Sequence, residues 1–418
     1  MTIIRIFLAS TLVICLAITI CPIITITKRM SVNAGTLGTF FADHNAPYAL
    51  INVSDYTGET DYERIQKALN DVTPEGATVF IPGGTWEACN LSAISNTIIL
   101  GTNGTVLRRP QNITAPFITF QNQANFAVLN ITFDGQNVTD ASGIQIVNGT
   151  DFRIADNVFQ DVAQHALHVT GQCQNFLVEN NVFLHATGAP LLIFGSPSLR
   201  IINGFLVANN TLMMSDNNGK IGVAFAANGT VADNYLYNCT YGIATRCVSD
   251  LVIRNNRIEN CASYGVYLGT QPGDVGSDNI SIIENYISGS DVGIARYYGS
   301  GSMINITVRN NTIVNSVQSD IYADFQAFFV NNTLTSKGKV KLLTIPLQFT
   351  GNVDLNLTLM IPADVEGDGK VNMRDVGIVA RLFQSSLGSD NWNPAADVIQ
   401  NNVIDMKDIS FVATCFAP

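Results

Sequence analysis

Apolar and polar positions alternate through the middle of the chain, and one amide corner interrupts the alternation again and again. Phe152, Ile154 and Val158 flank Asn157; Phe176, Val178 and Val182 flank Asn181; Phe205, Val207 and Leu212 flank Asn210. The unit returns around Asn234, Asn256, Asn285, Asn311 and Asn332. Its spacing is roughly 21 to 29 residues, the range of stacked solenoid repeats. Alternation with period two reads as half-buried strand; the spacing of three and four that a helix needs is missing. Asn suits such a bend because it tolerates the left-handed backbone better than other non-glycine residues. Its side chains can also hydrogen-bond along a stack of strands. A β-sandwich with Asn-rich turns is the competing reading, but sandwiches keep no fixed repeat. The pattern therefore predicts an all-β fold, a parallel β-helix.

The stretch ahead of the repeats has its own signals. Thr60 or Asp61 can cap a helix whose apolar face is Ile65, Ala68 and Leu69. Val79, Phe80 and Ile81 then run into Pro82, Gly83, Gly84, Thr85 and Trp86, a strand and a tight turn. After Ser336 the Asn rhythm fades, and the remaining alternation up to Met360 reads as terminal strands that close the coil. This opening, with its capping helix and the phrase Val79 to Trp86, resembles the pectate-lyase-like right-handed β-helix superfamily, in particular its rhamnogalacturonase/epimerase-like branch. The resemblance covers residues 48 to 335 and is specific for fold, not reaction, because such folds host many chemistries. It implies a right-handed coil whose Asn turn joins the second and third sheets. It also implies that polysaccharide lies on the outer face of the first sheet. That sheet would hold Gly143 to Ile146, Ala166 to Val169, Leu191 to Ile193, Gly222 to Phe225, Gly242 to Arg246, Gly265 to Leu268, Gly293 to Tyr297 and Asp320 to Asp324.

The tail carries the sharpest spacing. Asp364, Glu366, Asp368, Asn372 and Asp375 stand at positions 1, 3, 5, 9 and 12 of one loop, with Gly369 at 6 and the carbonyl of Lys370 at 7. Calcium is a hard ion that takes six to eight oxygen ligands, and this set supplies them. Asp397, Asn401, Val403 (through its carbonyl), Asp405 and Asp408 repeat the pattern, with Asn402 in place of the glycine. Ile399 occupies position 3 of the second loop and cannot ligate, so the first site is expected to hold its ion more firmly. Two such loops, each followed by one helix, resemble a type I dockerin over residues 361 to 418. The resemblance implies a cohesin-type partner, met near Met373, Arg374, Met406 and Lys407.

Composition narrows the partners. The formal net charge is −11 and only 13% of the 418 residues are charged, which argues against nucleic acid. The uncharged apolar run from Ile6 to Thr27 lies between Arg5 and Lys28 and makes residues 1–34 an export signal or a membrane anchor. Residues 35–47 read as linker, 48–360 as coil and 361–418 as dockerin. The chain past the apolar run is expected outside the cell or on its surface. Sequons agree with export: Asn-x-Ser/Thr occurs about fifteen times, although turn asparagines such as Asn310 need carry no glycan. Cys239 and Cys261 hold equivalent places one repeat apart, which allows either a disulfide or two stacked thiols.

Candidate chemistry on the coil is thinner. The proposed first-sheet face gathers His165, His168, Arg246 and Arg296 as possible proton-transfer or clamp residues. With them stand Tyr241, Tyr264, Tyr267, Tyr297, Tyr322 and Asp324 as sugar contacts. Glycoside hydrolysis needs a pair of carboxylates across the bond, and no such pair declares itself by motif. Elimination at a uronate needs a base and a cation on the carboxylate, for which the arginines and histidines are candidates. Three readings follow: a polysaccharide hydrolase or lyase acting on an acidic, pectin-like polymer, a non-catalytic sugar-binding coil, and a structural surface protein.

Overall fold

Every strand pairing of the coil is parallel, as a chain that always returns in the same sense must make it. The computed structural model describes residues 49–418, apart from 187, 197–199, 215–218, 297–300, 336–339, 343–345, 355–362, 367–370, 390, 394, 400–401 and 416–418. One turn shows the plan. Ile144–Val147 lies in sheet 1, Thr150–Ala155 in sheet 2, Val158–Gln160 in sheet 3, and Leu167–Thr170 starts the next turn in sheet 1. The described strands build eleven rungs of sheet 1, thirteen of sheet 2 and twelve of sheet 3, a right-handed parallel β-helix.

The register follows from the inward residues. Phe152 pairs with Phe126 and Phe176, and Phe176 with Phe205. Their rings stack face to face with centroids 4.6–5.4 Å apart. Phe133, Phe159 and Phe183 form a second file at 4.9–5.0 Å. Past Phe205 the first file continues with Leu251, Ile280 and Ile306, all buried. The change begins at Gly229: a Cβ there would stand 2.0 Å from Cζ of the Phe205 ring, so the ring lies over a rung that can carry no side chain.

The amide corner divides its work between two neighbours. The left-handed residue is the first of each pair: Asp156, Asn180, Asn209, Asp233, Asn255, Glu284, Asn310 and Asn331 all have φ between 54° and 58°. The second residue, which the sequence credits with both tasks, turns inward and forms the ladder. Asn157, Asn181, Asn210, Asn234, Asn256, Asn285, Asn311 and Asn332 are buried. From Asn181 on, each Oδ1 accepts from the backbone N–H and the side-chain amide of the preceding rung, as Asn181 Oδ1 does from Asn157, while Asn157 Oδ1 opens the ladder on the Ile131 N–H. Each Nδ2 also donates to a sheet 2 carbonyl, as Asn181 does to Ile154 at 2.8 Å. Hydrogen bonds at both ends of a buried amide offset the cost of removing it from water. The rhythm does not stop at Asn332: Asn352 takes the next place and accepts from both Asn332 donors at 2.9 Å.

Helix α1 (Asp61–Asn70) covers the open N-terminal end. Thr60, not Asp61, is its cap and accepts from the Glu63 N–H, while Ile65, Ala68 and Leu69 are buried against the coil. Helices α2 (Met373–Arg381) and α3 (Met406–Thr414) belong to the tail, which has a separate core around Val379, Ile404 and Val412. Cys239 and Cys261 are free, buried thiols stacked on neighbouring rungs; the disulfide is not formed. Their mutual hydrogen bond, followed by burial, pushes the Cys239 thiol well up. Among the described residues no helix is long and apolar enough to cross a membrane. The apolar run at residues 6–27 lies outside them.

Candidate functional site

Sheet 1 carries the expected face. His168 stands opposite Gln145 and Leu192, Ala244 opposite Gly222 and Tyr267, and Arg246 opposite Ala224 and Gly269. The outward positions of two successive rungs, Gly222, Ala224 and Ala244, are small. His168, Leu192 and Phe194 rise on one side of them and Tyr267 on the other. Two adjoining depressions result, of 280 and 420 Å³, sharing Leu192, Phe194, Lys220 and Tyr241 in their walls. The first also reaches Thr245, Arg246, Thr270 and Gln271; the second reaches His165. Among the described residues neither lining contains a carboxylate.

The arginines singled out in the sequence are committed. Arg246 forks onto Asp274, with Nε and Nη2 donating to Oδ2 and Oδ1 at 2.9 and 2.8 Å. That bond, more than any other influence, raises the Arg246 pKa and lowers that of Asp274. Arg296 is buried, lies 3.1 Å from Asp324 and donates to Gly301 and Thr270. Arg200 pairs with Asp278 and donates to the Gly276 carbonyl at 3.0 Å. Three arginines thus pin the segment 270–278, whose first residues, Thr270 and Gln271, line the first depression.

The tyrosines also spend their faces on one another. Tyr241, Tyr264 and Tyr267 pack with centroids 4.9–5.6 Å apart and planes within 31°. Tyr322 joins Tyr264 and Tyr267 in one apolar cluster, with Lys341 over its ring. Less ring face is left for a sugar than the sequence suggests. Tyr297 lies outside the described residues.

The two histidines are neighbours, with ring centroids 5.0 Å apart. His165 Nδ1 donates to the Ala189 carbonyl at 3.0 Å, which leaves Nε2 as the acceptor of the neutral ring. Burial, with the His165 charge second, brings the His168 pKa down to about 4. Burial also lowers that of His165, opposed by the Ala189 bond and reinforced by Lys220. Both rings are neutral at pH 7.

Lys220 is the residue the sequence did not single out. It precedes the strand Ile221–Ala224, and its ammonium sits 5.3 Å from the Tyr241 ring centroid. Burial lowers its pKa. The available signal was its place one residue ahead of a sheet 1 strand. Asp274, on a loop, gave none.

In the tail, Asp375 is fully buried and accepts from the Glu366 N–H through Oδ1 and the Asn372 N–H through Oδ2. Asp408 repeats this with Ile399 and Asp405. Each oxygen keeps a free lone-pair direction for a hard cation. Asp364 and Asp397 are also buried, and Glu366 lies 3.4 Å from the Asn372 amide. Asn402 carries φ of 67°, the left-handed turn that glycine provides in the first loop's pattern. No three carboxylates, thiols or imidazoles converge among the described residues. Asp368, Lys370 and Asn401 lie outside them.

Comparison with known proteins bears on both parts. Residues 204–334 match the family described as right handed beta helix region, and residues 362–415 match the dockerin type I domain. No curated protein matches the chain. Among solved structures, a surface adhesin of Streptococcus pneumoniae superposes with TM-score 0.61 at 16% identity, over 74% of this chain and 90% of its own. The A-module of a mannuronan C-5 epimerase of Azotobacter vinelandii gives 0.50 at 18%, over 72% and 98%. An exopolygalacturonase of Thermotoga maritima gives 0.58 at 12%, over 77% and 96%. At these identities the likeness is one of fold.

Proposed function

We propose that the coil binds an acidic polysaccharide in the groove on sheet 1, outside the cell, and that the tail fastens it to a cohesin. The observation that carries this is the groove itself: it is lined by a lysine, an arginine and tyrosines, with no described carboxylate, on a chain of net charge −11. Two of the superposed structures bear names of enzymes of uronate polymers, and the third that of a surface adhesin. Binding is favoured over hydrolysis because the described lining offers no pair of carboxylates to flank a glycosidic bond. Elimination at a uronate is the second reading. It is favoured by His165, which lines the second depression and, with Nδ1 on the Ala189 carbonyl, keeps Nε2 as a proton acceptor.

The tail's part follows from the dockerin match and the buried aspartates. Asp364, Glu366, Asp368, Asn372 and Asp375, with the Lys370 carbonyl, would hold one calcium ion. Asp397, Asn401, Asp405 and Asp408, with the Val403 carbonyl, would hold a second. The ion supplies a fixed positive centre that ties each loop to its helix. Met373, Arg374, Met406 and Lys407 are exposed on the first turns of α2 and α3 and form the cohesin surface. The second half adds a depression of 410 Å³ between Ile399, Met406 and Phe411.

Binding of the full chain to immobilised polygalacturonate, alginate and neutral glucans tests the coil. Retention on the acidic polymers alone is expected, and equal retention on neutral glucans would refute the charge reading. Absorbance of unsaturated uronate in the same mixtures decides between binding and elimination. A pull-down on a type I cohesin with calcium and with chelator tests the tail.

A further inference from the structure

We propose that Lys220 is the group that reads the carboxylate of a uronate-type saccharide, and that Arg246 and Arg296 are positioning residues that hold the wall beside it. The inference rests on the saccharide reading of the groove.

Cations on this face differ in what already neutralises them. Arg246 is answered by Asp274 through two short hydrogen bonds, and Arg296 by Asp324. An anion meeting either would compete with a carboxylate fixed in place. Lys220 makes no ion pair among the described residues. It lines both depressions, at the point where they join. His165 faces the same space, since it lines the second depression with Lys220.

Position and surroundings make this ammonium selective. It is half-buried above the Tyr241 ring, and partial loss of water strengthens its pull on an arriving charge. The field of a chain with net charge −11 repels anions elsewhere, so capture of an acidic polymer needs a local unanswered cation. A neutral or esterified sugar offers this ammonium no countercharge and receives only the contacts of Leu192, Phe194 and Tyr241. An ammonium is a compact charge with three rotatable donors, so it can meet a carboxylate from several directions.

The three arginines do a different job. They join the 270–278 segment to sheet 1 and to the loop at Arg200. Their loss should move the wall and weaken acid and ester alike.

Calorimetry on the full chain with calcium, using trigalacturonate, trimannuronate and their methyl esters, tests this. The wild type is expected to bind one of the acids at least about tenfold more tightly than its ester, a difference of about 1.4 kcal/mol. Lys220→Met should bring that ratio to about one with ester affinity unchanged, and Lys220→Arg should restore most of it. Arg246→Gln should weaken both probes and keep the ratio. A ratio that survives Lys220→Met, or that is lost only in Arg246→Gln, overturns the assignment. Ala244→Trp fills the 280 Å³ depression and guards the premise. Binding unchanged in that variant, or no binding of any probe by the wild type, removes the groove reading itself.

Discussion

Replacing Asn210 by alanine should cost about 2–6 kcal/mol, because two buried polar groups lose their partners at about 1–3 kcal/mol each. Asn210 is 1% exposed. Its Oδ1 accepts from the backbone N–H and the Nδ2 of Asn181, both at 3.0 Å. Its Nδ2 donates to the Val178 carbonyl at 2.9 Å, to Ala208 at 3.1 Å and to Asn234 Oδ1 at 3.0 Å. After truncation the Asn181 amide still reaches Ile154 and Glu179, and Asn234 Oδ1 still accepts from the Asn210 backbone. The groups left stranded are the Asn181 backbone N–H and the side-chain-facing lone pair of Val178. Asn210→Asp should be worse, since a carboxylate would face the oxygens of Val178, Ala208 and Asn234 with no proton to offer. The exposed ladder is the control. Asn148 has φ of 53°, donates to Asn122 and accepts from the Gln172 N–H. Asn148→Gly tolerates that φ and returns those groups to water, so its cost should stay under about 1 kcal/mol. Urea unfolding gives the two values, and hydrogen exchange at the Asn181 amide localises the first. Solenoid rungs couple mainly to their neighbours, so protection should fall there first. Equal cost in Asn210→Ala and Asn148→Gly would refute the claim that the buried ladder stabilises the coil.

Three further outcomes follow. Chelation should remove the helical signal of α2 and α3 while the coil keeps its β-sheet signal, read by circular dichroism; loss of the sheet signal would contradict independent cores. The His168 pKa is depressed to about 4, so the folded state takes up fewer protons than the unfolded chain below about pH 6.5. Its stabilising contribution is therefore present above that pH and lost as pH falls towards 4, and His168→Gln should flatten the acid limb of a denaturation series. Arg246→Ala leaves Asp274, whose side chain is only 5% exposed, without its partner. Faster hydrogen exchange across residues 270–276 is expected, and unchanged exchange there would mean the wall is held by other contacts.

Much of the coil could be read from the chain because its information is local. Phe152, Ile154 and Asn157 declare inward, inward and corner within six positions, and the copies at Phe176 and Phe205 fix the register. What the local pattern concealed was the division of labour at the corner. Left-handed backbone and buried ladder fall on adjacent residues, and a sequence reading centred on one asparagine merges them. Asn352 was passed over because the strands around it are short, only Gln348–Thr350 and Val353–Asp354. The starts of the tail helices were legible through spacing, since the position-12 aspartates also close the helix caps: Asp375 and Asp408 complete capping boxes on Asn372 and Asp405.

By itself the sequence determined a parallel coil, the helix ahead of it and the spacing of oxygen-bearing residues in the two tail loops. Each of these is set by alternation or by spacing within one rung or one loop, whereas the right-handed winding and the choice of sheet 1 came from the family resemblance. Only the tertiary structure decided which charges on that face are free to act. Arg246 meets Asp274 across 28 positions and Arg200 meets Gly276 across 76, through loops with no periodic signal. Charge pairing depends on where loops fold back across the rungs, and the order of residues within a rung does not encode that.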